Sequence, residues 1–268
     1  MSQDLAQQRS VLSPLTSPLW RWPETTSQRV SLMGILNVTP DSFYDGGQFD
    51  HSRSETFVDL ATERGLTLIE EGALYIDVGG ESSRPGAAPV SIEEELERVI
   101  PVIERLISAE PSAVISVDTV KPKVAEAALD AGAKILNDIR GLRDPLLREI
   151  VADRRAGVVI MHMRGTPQTM QRGDLSSQDV VEETYRWLND QLERSISAGI
   201  ELDRIAIDIG VGFGKTVEQN LQLIYHLERF KALSPSLLIG ASRKSFIGAI
   251  TGASAENRLP GSLATLVE

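Results

Sequence analysis

Cysteine is absent from the 268 residues, so the chain can form neither a disulfide nor a thiolate metal centre. Histidine is scarce: His51, His162 and His226 lie far apart, which argues against a zinc site built on imidazoles. An excess of basic residues is also missing. The formal net charge of −11 speaks against a nucleic-acid or anionic-membrane partner, although a local basic pocket can still hold a phosphate. No apolar run is long enough to span a bilayer, and the opening MSQDLAQQRS carries an acid and no hydrophobic centre, so no secretory signal is expected. These absences together predict a cytoplasmic protein.

What is present is one plan, repeated. Residues 1–28 read as a polar, proline-punctuated lead-in, in the first place a loosely ordered terminal segment, with Trp20 and Trp22 as candidate tethers. From residue 29 to 268, short apolar runs alternate with amphipathic stretches, and no proline-rich or serine-rich linker divides them, which predicts one domain. The run Val30 to Leu36 reads as a strand ending at Asn37, followed by a loop rich in turn residues and a helix from about Ser52 to Glu71. Further strands are predicted to end near Val78, Asp118, Asn137-Asp138, Met161, Asp208 and Ile239. Helices are expected from Ser91, Lys121, Asp144, about Gln178 and Val217. Ser91 with Glu94 predicts a capping box, and Pro101 a kink in the helix that follows.

Alternating strands and helices imply parallel pairing with right-handed crossovers. Two α/β folds satisfy this: an open doubly wound sheet and a TIM-type (β/α)8 barrel. An open sheet concentrates its ligand chemistry at one switch point, whereas here nearly every strand ends in a polar residue. That distribution favours the barrel. Seven strands are counted, and the chain stops in the first turns of a helix after Gly261, so it reads as a barrel truncated before its eighth strand.

The strand ends supply Asn37, Asp118, Asn137, Asp208 and Lys244, and the loops add Asp41, Ser83, Arg84 and Ser242. Two carboxylates and an amide from different strands suit an array of N–H donors, such as the amino-pyrimidinone edge of a guanine or a pterin. Arg84 and Lys244, with Asn37 as an oxygen ligand, suit a phosphate and a magnesium ion. Each residue also has a plainer role available. Asp118 can cap the next helix, Lys244 can be a solvated residue at a helix start, and Arg84 can form a rim salt bridge. Phe43 and Phe213 can be ordinary packing, and the glycines before Lys215 lack the spacing of either nucleotide-binding loop.

In combination, MGILNVTPDSFYDGG, DVGGESSRPGA, ISVDT, ILNDI, MHMRGTPQTM, GVGFGKT and LLIGASRKSFIG resemble the dihydropteroate synthase family of the folate pathway, from about Val30 onward. The resemblance implies a pterin-binding TIM barrel. It would join 6-hydroxymethyl-7,8-dihydropterin diphosphate to p-aminobenzoate and release diphosphate. Position by position, it implies a pterin held by Asp118, Asn137, Asp208 and Lys244 with Met161 lining the pocket. Asn37 would bind Mg2+, and Ser83 and Arg84 would face the reacting centre. Phe43, Pro85, Phe213 and Ser242 would shape a p-aminobenzoate pocket that also takes sulfonamides, with Asp41 as a further carboxylate.

The chain departs from the family pattern at three places. Ile209 and Val211 stand where proline and phenylalanine are usual, and Ser83 where threonine is usual. The eighth-strand arginine and histidine that grip the diphosphate are not among these residues, nor is the final helix that contributes to a homodimer. Two rival readings follow: a pterin-binding paralogue without turnover, and a pterin-dependent methyltransferase, which the GESSRPG and SRKS loops disfavour.

Overall fold

A computed structural model describes residues 20–23, 30–39, 55–82, 86–170, 175, 179–234 and 236–266. Seven strands are present among them: β1 (Met33–Asn37), β2 (Tyr75–Gly79), β3 (Val114–Asp118), β4 (Ile135–Asp138), β5 (Gly157–Met161), β6 (Ile205–Asp208) and β7 (Ser236–Leu238). All pairings are parallel, and the strands follow chain order across the sheet with no reversal. A doubly wound sheet needs a reversal. Sequential order with right-handed crossovers places every helix on one face and leaves the other face to line an interior, which is barrel architecture.

The helices are α1 (Glu55–Glu70), α2 (Ile92–Ala109), α3 (Pro122–Asp130), α4 (Pro145–Asp153), α5 (Val180–Ser197), α6 (Val217–Tyr225), α7 (Leu227–Phe230), α8 (Ser245–Thr251) and α9 (Leu259–Ala264). Their starts are written in cap chemistry. Asp144 accepts the N–H of Leu146 at 2.9 Å and Asp179 that of Glu182 at 2.9 Å. The box expected at Ser91 is half formed. Its hydroxyl accepts the Glu94 N–H at 3.1 Å, but the Glu94 carboxylate turns to Arg98 instead. A complete box stands at Thr216, paired reciprocally with Gln219. Pro101 lies within α2, which runs on through it as one element. No helix among the described residues is long and apolar enough to cross a membrane.

Side-chain alternation builds two cores from one sheet. Ile76, Val78, Ile115, Val117, Leu136, Val158, Ile160, Ile205 and Ile207 face outward into the layer packed by the helices. Tyr75, Ile135, Val159 and Ala206 face inward at the N-terminal ends of the strands. The lead-in tryptophans finish this inner core. Trp20 meets Trp22 edge-on at 6.2 Å and Tyr75 at 6.3 Å, and the Trp22 indole donates to the Arg204 carbonyl at 3.0 Å. Gly157 must be glycine here, because a Cβ would lie 2.1 Å from the Trp20 ring. Trp20 and Trp22 therefore act as tethers, where the sequence favoured a loosely ordered lead-in.

Candidate active site

The opposite ends of the strands carry the chemistry. Register places Asn37 beside Gly79, Gly79 beside Asp118, and Asp118 beside Asn137, so β1 to β4 bring these groups to one rim. Gly79 leaves the gap between them open: a Cβ there would sit 3.5 Å from Asp118 Oδ2 and 3.8 Å from Asn37 Oδ1. Across the mouth Met161 pairs with Asp208. Met161, Met163, Met170, Ile139 and Phe213 form an apolar wall. Lys244, at the start of α8, reaches over this wall, its ammonium bonded to the Val211 carbonyl and 4.4 Å from the Phe213 ring centre.

Four of the predicted residues, Asp118, Asn137, Asp208 and Lys244, thus share one end of the sheet, with Asn37, Met161 and Phe213 around them. Ser242 is exposed in the turn before Lys244. Asp41, Phe43, Ser83, Arg84 and Pro85 lie outside the described residues. The capping alternative for Asp118 does not hold: Lys121 occupies the N-cap of α3, and its N–H is taken by the Thr119 hydroxyl at 3.2 Å. Lys244 is likewise not a solvated surface residue.

Electrostatics sort the two sides. Burial pushes the Asp118 pKa well above the usual carboxylate range, and the carboxylates of Asp77, Glu95, Asp138 and Glu81 push it further. Asp208, 5% exposed, is also raised by burial, but Lys244 and the Gly210 N–H, which it accepts at 2.7 Å, pull it back. Burial lowers Lys244 to about 8, opposed by Asp208. A mouth that disfavours its own negative charge will welcome a ligand that brings N–H donors or positive charge.

Several neighbours escaped the sequence reading. Lys215, 4% exposed, donates to the carbonyls of His162, Gly210 and Phe213 at 3.2, 2.7 and 3.1 Å, and burial lowers it to about 7. It ties the β6 loop to the β5 loop and is not a phosphate ligand. Gly210 must approach equally closely, since a Cβ would lie 1.9 Å from the His162 carbonyl oxygen. Lys121 bridges Glu81 and the buried Glu95, anchoring the start of the β2 loop. Asp77 was passed over within the run YIDVG. An acid in phase with inward-facing Tyr75 and Gly79 was the available signal.

The family profile described as "Pterin binding enzyme" matches residues 33–268. The chain belongs to this family. Among curated pterin-binding relatives, the dihydropteroate synthase of Escherichia coli strain K12 is 45% identical over 236 residues, covering 88% of this chain and 81% of that protein. A solved Xanthomonas albilineans dihydropteroate synthase with 4-aminobenzoic acid superposes with a TM-score of 0.81 at 46% identity, covering 90% of this chain and 83% of that one. The same organism's enzyme in complex with 7,8-dihydropteroate gives 0.77 at 44% identity over the same shares. The barrel reading and the family resemblance both stand.

Proposed function

We propose that the chain is a transferase of folate biosynthesis, condensing 6-hydroxymethyl-7,8-dihydropterin diphosphate with p-aminobenzoate to give 7,8-dihydropteroate and diphosphate. The observation that carries the reading is the pairing of Asp118 and Asn137 on one side of the mouth with Asp208 and Lys244 on the other. Asp208 accepts from the amino and ring N–H groups of a pterin, Lys244 donates to its ring carbonyl, and Asn137 and Asp118 face the reduced ring. The Met161 and Phe213 wall packs against the flat heterocycle.

The carbon–oxygen bond to the diphosphate breaks with its electron pair leaving on oxygen, and positive charge develops on the pterin methylene. Asp118, crowded by neighbouring acids, is stabilised by that charge and stabilises it in return. The p-aminobenzoate nitrogen then bonds to the methylene carbon and gives up a proton, which needs no strong base. Magnesium fits the leaving-group side, since one neutral protein oxygen from Asn37 suits an ion that keeps water and phosphate ligands. Bound there it neutralises the departing diphosphate. Ser83 and Arg84 would face the reacting centre. Phe43, Pro85, Phe213 and Ser242 would shape the p-aminobenzoate pocket where sulfonamides compete, with Asp41 an added carboxylate. A cytoplasmic location and homodimeric assembly complete the proposal.

The deciding measurement is diphosphate release by purified protein with the pterin diphosphate, p-aminobenzoate and magnesium. Release that depends on p-aminobenzoate supports the synthase, and pterin binding without release supports a non-catalytic paralogue. Asp118→Asn should lower kcat/KM at least ~100-fold, with unfolding stability changed by under ~1 kcal/mol. Parallel loss of stability and turnover would reassign Asp118 to structure.

A further inference from the structure

Beneath the proposed pterin ring lies a polar step that the reaction itself does not use. Asp77 sits one inward position deeper than Gly79 on β2, opposite Ser116 of β3, and is 3% exposed. Its Oδ2 accepts the Asn137 side-chain N–H at 2.8 Å. Ser116, fully buried opposite Asp77, is a second hydrogen-bonding neighbour of its carboxylate. Burial of a carboxylate this deep is unfavourable, so its presence beside a ligand pocket needs a reason.

The amide of Asn137 has two unlike edges, and its orientation decides what the mouth offers a ligand. An ionised carboxylate is acceptor only, so Asp77 can bind the NH2 edge and not the carbonyl edge. Burial raises the Asp77 pKa, and the hydrogen bonds from Ser116 and Asn137 pull it back, so the Asn137 N–H favours the ionised form of Asp77. Asp77 keeps its acceptor character.

We propose that Asp77 is a positioning residue that locks Asn137 with its carbonyl oxygen toward the mouth, so that the site selects heterocycles presenting an N–H donor there. This rests on the pterin reading above and specifies which group enforces it. Without Asp77 the amide turns either way, and half of its orientations present NH2 to the ligand's N–H.

The test is calorimetric titration of the pterin diphosphate into wild type, Asp77→Asn, Asn137→Ala and the double variant. The expected result is about tenfold weaker binding for Asp77→Asn, and less than about twofold further loss when it is added to Asn137→Ala, because both changes remove one interaction. The KM for p-aminobenzoate at saturating pterin should shift less than about twofold. Additive losses, or lower stability with unchanged affinity, overturn the proposal. If Asp77→Asn does not fold, the exchanged pair Asp77→Asn with Asn137→Asp gives the same reading, since it restores the bond and turns a carboxylate oxygen to the mouth. Affinity near wild type supports the proposal, and affinity as poor as Asn137→Ala overturns it. Wild-type protein that binds no pterin overturns the functional reading as well, whereas normal wild-type binding with additive variants overturns only the role of Asp77.

Discussion

Single side chains near the mouth differ in whether they serve chemistry or hold the frame, and His162 is of the second kind. Burial drives its pKa from the ordinary 6.5 to about 2, with Lys215, Arg164 and Arg143 adding repulsion. Its Nδ1 meets the Thr184 hydroxyl at 3.3 Å and its ring the Trp187 edge at 5.1 Å. The unfolded chain takes a proton on this residue as pH falls below about 6.5, while the folded chain does not until about 2, so stability is lost as pH falls through that window. Between about pH 7.5 and about 5.5 this amounts to about 1.4 kcal/mol. Urea unfolding of His162→Gln at both pH values should show a pH dependence smaller than wild type by that amount, and an unchanged dependence would mean the imidazole is not held neutral. At this scale Asp118, Asn137, Asp208 and Lys244 were legible because polar residues ending apolar runs stand out. Asp77 and Lys215 were not, because their partners are carbonyls and amides brought near by the fold alone.

Elements were legible to within a few residues, and their errors share a cause. The first strand was expected from Val30, yet pairing with β2 begins at Met33, where Tyr75 becomes available as partner. Apolar character marks a strand, but its neighbour sets its ends. Capping shows the same limit. Ser91 and Glu94 have the spacing of a reciprocal box, and Arg98 one turn later diverts the acid; Gln219 also accepts from Arg164 at 3.1 Å, yet its amide oxygen keeps the Thr216 N–H at 3.1 Å and the box closes. Thr216→Ala should therefore lower stability by about 1 kcal/mol, read from the urea midpoint, with Ser91→Ala costing less than this. Equal effects would show that the reciprocal half contributes nothing.

For the whole molecule, barrel architecture could be argued from sequence because the rim chemistry is distributed over many strands, and the sequential strand order bears that out. The floor could not be read as firmly. Trp20 and Trp22 precede the first strand and gain their meaning only from the distant Tyr75, Gly157 and Arg204. Since the floor lies at the opposite end of the strands from Asp118 and Asp208, Trp22→Ala should lower stability by about 3 kcal/mol while leaving the pterin KM within about twofold. A large change in KM would mean that floor and mouth are coupled.

The indole floor also settles traffic. A vessel stoppered at its base admits its contents away from the plug, so the groups of a ligand that are to meet Asp118 and Asp208 are offered from the end of the strands opposite Trp20 and Trp22.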